Sequence, residues 1–139
     1  REMPTTTVNG VEYLGTLEIP SLELELAIIS QWSDSLLKLA PCQYQGSAYL
    51  DNMILAGHNY RAHFAGLKDI QIGDAVIFTD AEDSCFHYEV SGLEELPGHL
   101  RDGVRGLGSD PVYLHCWGKR PLHGSLYKER AISCSRWSA

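Results

Sequence analysis

The tetrapeptide Ala56-Gly57-His58-Asn59 holds the side chain of this sequence best placed for proton transfer. His58 follows the apolar run Met53-Ile54-Leu55-Ala56 and precedes Asn59, a polar turn former. A strand that ends in Gly-His carries its imidazole to a rim, where a general acid/base can meet a substrate. By residue type alone a satisfied structural histidine is the commoner role, so the pattern leaves both open. Other polar residues read more simply. His63 lies five residues after His58 and misses the i, i+4 spacing of helical metal ligands, which makes it a surface or packing residue. Glu94-Glu95 reads as a solvated pair. The four cysteines (Cys42, Cys85, Cys116, Cys134) show no CxxC spacing and are too sparse for a disulfide-stapled scaffold. Cys42 and Cys85 read as small buried or loop thiols. A zinc module would have to use His115-Cys116 with His123 and Cys134, a set without the usual closely spaced ligand pairs.

The elements around His58 follow from short periodic segments. Residues 1–12 form a polar, Thr-rich N-terminal arm, mobile in its first ten residues. Tyr13 to Ile19 reads as a strand closed by Pro20, which has no N–H to give a ladder. Leu22, Leu24 and Leu26 alternate with Glu23 and Glu25 in a half-buried strand ending near Ile29, so Ser21 marks a hairpin or sharp corner. Ser33 or Asp34 caps a short helix through Leu36, Leu37 and Ala40, stopped before Pro41. Cys42 to Ser47 reads as a loop. Met53 to Ala56 is a buried strand, His63 to Leu67 one helical turn, and Ala75 to Thr79 and Phe86 to Val90 two further strands. Five strands with brief helices, in segments too short for repeated βαβ units, predict a mostly antiparallel β-barrel or sandwich.

Composition narrows the function. The net charge of −7 argues against nucleic acid, whose binding needs clustered Lys and Arg. The charge is uneven: residues 1–97 hold 4 basic and 15 acidic residues (4 − 15 = −11), and residues 98–139 hold 7 and 3 (7 − 3 = +4). Beyond Pro97, glycines at 98, 103, 106 and 108 break the chain and no apolar period of 2 or 3.6 survives. No apolar run reaches the roughly 18 residues of a membrane span. The start at Arg1 without an initiator methionine reads as a trimmed or mature fragment.

Taken in order, the segments of residues 13–97 resemble the sortases of Gram-positive cell surfaces. Ile19-Pro20 with the Leu-rich strand after it is similar to that family's opening segment, and Ala56-Gly57-His58-Asn59 to its catalytic-histidine motif. Phe64 to Leu67, Ile72-Gly73-Asp74 and Val76 to Thr79 are similar to its F-x-x-L and I-G-D-x-V-x-F run. The resemblance implies a closed β-barrel with short helices, the core in 13–97 and an atypical segment, 98–139, in place of the last strands. It implies a cysteine transpeptidase that uses no cofactor. A Cys thiolate attacks a backbone carbonyl of a cell-wall sorting signal, a His serves as general acid/base, and an Arg on the last strand stabilises oxyanion charge. The implied partners are a sorting-signal peptide and an amine acceptor, either a peptidoglycan precursor or a pilin lysine. The implied location is the outer face of the cell membrane or the cell wall, with a membrane anchor outside this stretch.

In this reading His58 is the acid/base, Cys116 the candidate nucleophile and Arg120 the candidate oxyanion partner. The family's nucleophile follows Thr-Leu-x-Thr, whereas Cys116 follows Val112-Tyr113-Leu114-His115, and Pro121 comes directly after Arg120. Two unrelated residues of an irregular tail is the competing description. Read one base forward from Leu107, the degenerate codons allow Thr-Leu-x-Thr-Cys, a Gly-Gly turn, an Arg and an alternating strand. The Cys is then encoded across Leu114-His115 and the Arg across Pro121-Leu122. The tail thus reads as a frameshift, predicting an irregular segment that pairs poorly with the barrel. A catalytically inactive sortase-like barrel that retains at most peptide binding is the alternative function.

Overall fold

The computed structural model describes residues 2–58, 63–97, 112–117 and 128–137. Among the described residues nine strands form one sheet: β1 (Thr6–Val8), β2 (Val11–Ile19), β3 (Leu24–Ile29), β4 (Cys42–Gln45), β5 (Met53–His58), β6 (Ala75–Asp80), β7 (Cys85–Pro97), β8 (Val112–Trp117) and β9 (Lys128–Arg136). Short 3-10 helices lie between them: η1 (Pro20–Leu22), η2 (Leu36–Lys38), η3 (Ala48–Leu50) and η4 (Phe64–Asp69). The order β2-β3-β4-β5-β8-β9-β7-β6 returns to β2 through the β2–β6 pairing, which closes a barrel of eight strands with β1 outside it on β2. Among the described strands only β3–β4 and β5–β8 pair in parallel, so the expected mostly antiparallel barrel is what forms.

Alternation builds the interior. Leu14, Leu17, Ile19, Leu26 and Ile28 meet Met53, Leu55, Val76, Phe78, Tyr88 and Val90 in one core. Phe78 is fully buried, lies opposite Leu17 across the ladder and packs against Phe86 at 6.2 Å between ring centroids. Phe78→Ala is therefore expected to cost about 3–5 kcal/mol by emptying the barrel's centre; a shift of the urea midpoint at unchanged slope is the check. At the β2–β6 seam, a Cβ on Gly15 would collide with the Thr79 carbonyl, so the strands approach as closely as they do only over glycine. The N-cap of η2 is Ser35, which makes no side-chain cap bond, and not Ser33 or Asp34; Ser33 lies two residues earlier, where its Oγ accepts from the Leu36 N–H at 3.0 Å.

Further expectations need correction, beginning with Leu22, which belongs to η1 and not to the strand that starts at Leu24. Residues 6–8 of the arm are a strand, and Cys42 to Gln45, read as a loop, is β4. The larger difference lies beyond Pro97, where residues 112–117 and 128–136 are not irregular but form adjacent strands of the barrel wall. β8 escaped notice because Val112, Tyr113, Leu114 and His115 are all buried, and a strand covered on both faces shows no period of 2. β9 does alternate: Ile132 and Cys134 join the main core, while Ala131 packs on the other face with Ile54 and Tyr113.

Candidate active site

His58 is the last residue of β5, whose register is fixed on both sides: Ala56 pairs with Cys42 of β4, and Gly57 and His58 pair with Cys116 and Trp117 of β8. Met53 and Leu55 point into the main core, Ile54 and Ala56 into separate clusters on the opposite face. Alternation sets His58 on the face of Ile54 and Ala56, outside the barrel core, where it is partly exposed. An imidazole at a strand end, half in contact with solvent, is accessible to a substrate while its backbone stays fixed.

The residue before it has no room for a side chain. A Cβ on Gly57 would lie 2.7 Å from Cδ2 of Phe64 and 3.0 Å from Cε2 and Cγ of the same ring. Glycine here is a packing requirement: Phe64, from η4, lies against the backbone that carries His58.

Cys116 lies in β8 between two partners, with Gly57 of β5 on one side and Arg130 of β9 on the other. Its backbone is thus one residue out of register with His58 on the neighbouring strand. Arg120 lies outside the described residues. The arginine that the ladder brings beside Cys116 is Arg130, which the sequence reading passed over. Its signal was the alternation of Arg130, Ile132 and Cys134 with Ala131, Ser133 and Ser135. Arg130 is half-buried and donates from Nη1 to the Leu67 carbonyl at 3.1 Å. A cavity of about 310 Å³ opens beside it, lined by Lys68, Ile70, Leu93, Glu94 and Arg130.

The remaining candidates have structural partners. His63 is buried and its Nε2 lies 3.1 Å from the Leu39 carbonyl, an acceptor that requires the Nε2–H tautomer. His115 is buried beside Tyr113, with Nδ1 3.4 Å from its hydroxyl, on the face away from the main core. Cys134 lies in the main core, so His115 and Cys134 occupy opposite faces of the sheet and do not share a metal. His123 lies outside the described residues. Glu94 is exposed.

Thiol reactivity separates the cysteines. Burial pushes the Cys42 thiol up to about 12, only partly countered by a backbone hydrogen bond from Ser33. The thiolate is the reactive form, so Cys42 is inert at neutral pH. Cys134 is fully buried, whereas Cys85 is exposed. Brief iodoacetamide treatment of the native protein at about pH 8, near the ordinary thiol range, is expected to label Cys85 and leave Cys42 and Cys134 for labelling only after denaturation. Peptide mass mapping reads the outcome, and native labelling of Cys42 would contradict its burial.

Comparison with known proteins places this barrel. The family model for the sortase domain matches residues 17–105. Sortase A of Bacillus anthracis is 24% identical over 118 residues, covering 81% of this chain; the chain spans 56% of that relative's length. Among solved structures, sortase A of Listeria monocytogenes superposes with a TM-score of 0.71 at 15% identity, covering 91% of this chain and 88% of that one. Sortase C of Clostridium perfringens, solved with the C-terminal cell wall sorting motif, gives 0.70 at 21% identity, covering 91% and 71%. With its closed barrel, its His58 at the end of β5 and a domain match over most of its length, the chain belongs to the sortase family.

Proposed function

We propose that this chain is a cysteine transpeptidase that cleaves a cell-wall sorting signal and transfers the acyl portion to an amine. Cys116 is the nucleophile, His58 the general acid/base and Arg130, rather than Arg120, the oxyanion partner. The Cys116 thiolate adds to the scissile carbonyl, and the tetrahedral oxyanion draws on the guanidinium. Protonated His58 gives its proton to the departing amine as the C–N bond breaks, leaving a thioester. The incoming amine attacks that thioester, His58 takes its proton, and the thiolate leaves. The acceptor is a peptidoglycan-precursor amine or a pilin lysine, and the site of action is the outer face of the cell membrane or the cell wall. No described helix is long and apolar enough to cross a membrane.

The observation that carries this reading is the backbone row Gly57–Cys116–Arg130 across β5, β8 and β9, with His58 the next residue beyond it, at the end of β5, where its imidazole meets the row around the strand's end. Incubation with a sorting-signal peptide, followed by intact-mass measurement, is the test. A mass increase equal to the acyl portion, lost on adding hydroxylamine or an amine acceptor, is expected. One observation favours a second reading: β8 carries Val112-Tyr113-Leu114-His115 where the family's Thr-Leu-x-Thr would stand. In that reading the barrel binds the peptide without acylation, and saturable peptide binding with no adduct would select it.

A further inference from the structure

We propose that η4 is a brace that sets His58 and Arg130 relative to each other, with Phe64 and the Leu67 carbonyl as its positioning groups. This rests on the reading that His58 and Arg130 serve the reaction. Two contacts, three residues apart on one short helix, reach the two strands that flank Cys116. At one end the Phe64 ring fills the space a Gly57 side chain would take, 2.7–3.0 Å from the position of its Cβ. Gly57 is held in the ladder by Cys116, so the ring presses on a backbone that has little freedom to yield. At the other end the Leu67 carbonyl accepts from the Ile70 N–H at 3.2 Å and from Arg130 Nη1 at 3.1 Å. A carbonyl has two acceptor sites, and both are engaged.

The helix is itself fixed. Phe64, Leu67 and Ile70 are 1%, 0% and 3% exposed and belong to the main core, and His63 ties the start of η4 to the carbonyl of Leu39. A movement of Phe64 is therefore transmitted to Leu67 within a rigid turn. The contact path runs Gly57–Phe64–Leu67–Arg130, while the backbone of Cys116 closes the ring as ladder partner to both Gly57 and Arg130. Packing that merely stabilised the barrel's end would need neither the Arg130 bond nor a ring pressed on the one residue before His58.

The test uses the full chain and three variants: Gly57→Ala, Phe64→Leu and the two combined. NMR reads the His58 Cε1–H and Arg130 guanidinium resonances, and acylation by a sorting-signal peptide is followed in parallel. Gly57→Ala is expected to displace both sets of resonances and to lower the acylation rate constant by about 100-fold with KM nearly unchanged, the loss typical of a misplacement of about 1 Å. Phe64→Leu frees space beside Gly57, so the combined variant is expected to recover most of the rate and both sets of resonances. The brace is overturned if Gly57→Ala moves the His58 signal while Arg130 stays, or if the combined variant is no better than Gly57→Ala. Should Gly57→Ala not fold, Phe64→Leu alone must move both signals, and movement of only one overturns the proposal. A wild-type chain that shows the coupled signals but forms no adduct supports the brace and refutes the transpeptidase reading instead.

Discussion

Cys116→Ala is expected to abolish the peptide adduct completely, and His58→Ala to slow its formation by about 10²–10⁴-fold, the range general acid–base catalysis contributes. The asymmetry follows from the roles. Without Cys116 the thioester has no sulfur: Cys42 and Cys134 are buried, and Cys85 lies at the far hairpin, paired with Thr79 on β6. Without His58 a thiol is still present, but the departing amine must leave unprotonated and the thiol loses its proton acceptor. The adduct should therefore form slowly in His58→Ala and not at all in Cys116→Ala. Intact-mass time courses under single-turnover conditions separate the two. Undiminished acylation of Cys116→Ala would exclude it as nucleophile, and full activity of His58→Ala would return that histidine to a structural role. His58→Ala should retain the wild-type unfolding midpoint to within the small change expected of a partly exposed strand end.

How far the site could be read from the sequence depended on how each strand is covered. Met53 to Ala56 announced a buried strand because apolar residues run unbroken into Gly57, and the rim position of His58 followed from where that run stops. β4 was missed because Gln43 and Gln45 look like a loop, although Tyr44 packs against clusters on either side of β5's outer face. β8 and β9 were obscured by the charge reversal and by glycines in 98–108, yet both are flanked by strands whose pairing determines their extended form. Pairing partners far apart in sequence leave no local trace, which is why the Gly57–Cys116–Arg130 row could not be read from periodicity. The clash between Phe64 and any side chain at residue 57 is equally invisible before folding, since the sequence between them gives no hint of which face the ring will meet.

Arg130→Ala is expected to lower the acylation rate constant by about 10²–10³-fold, the loss seen when one preorganised oxyanion donor is removed, and by more than Arg120→Ala. The ladder is the reason. A group that stabilises charge only in the transition state must already be in place before the charge forms, because reorganising it during reaction consumes the gain. Arg130 is held by a strand paired on both sides, with β7 and with β8, and by the Leu67 carbonyl acting on its guanidinium. Arg120 falls between β8 and β9 in sequence, next to a proline that has no N–H to give a ladder. Arg130→Lys sharpens the test, since it keeps the charge but loses the planar fork that can serve the carbonyl and an oxyanion together. It is expected to recover only part of the rate. Thermal unfolding controls for the lost bond to η4, and a rate that falls only in proportion to the folded fraction would assign Arg130 to the scaffold. A collapse of acylation in Arg120→Ala with Arg130→Ala near wild type would move the oxyanion role back to the β8–β9 connection.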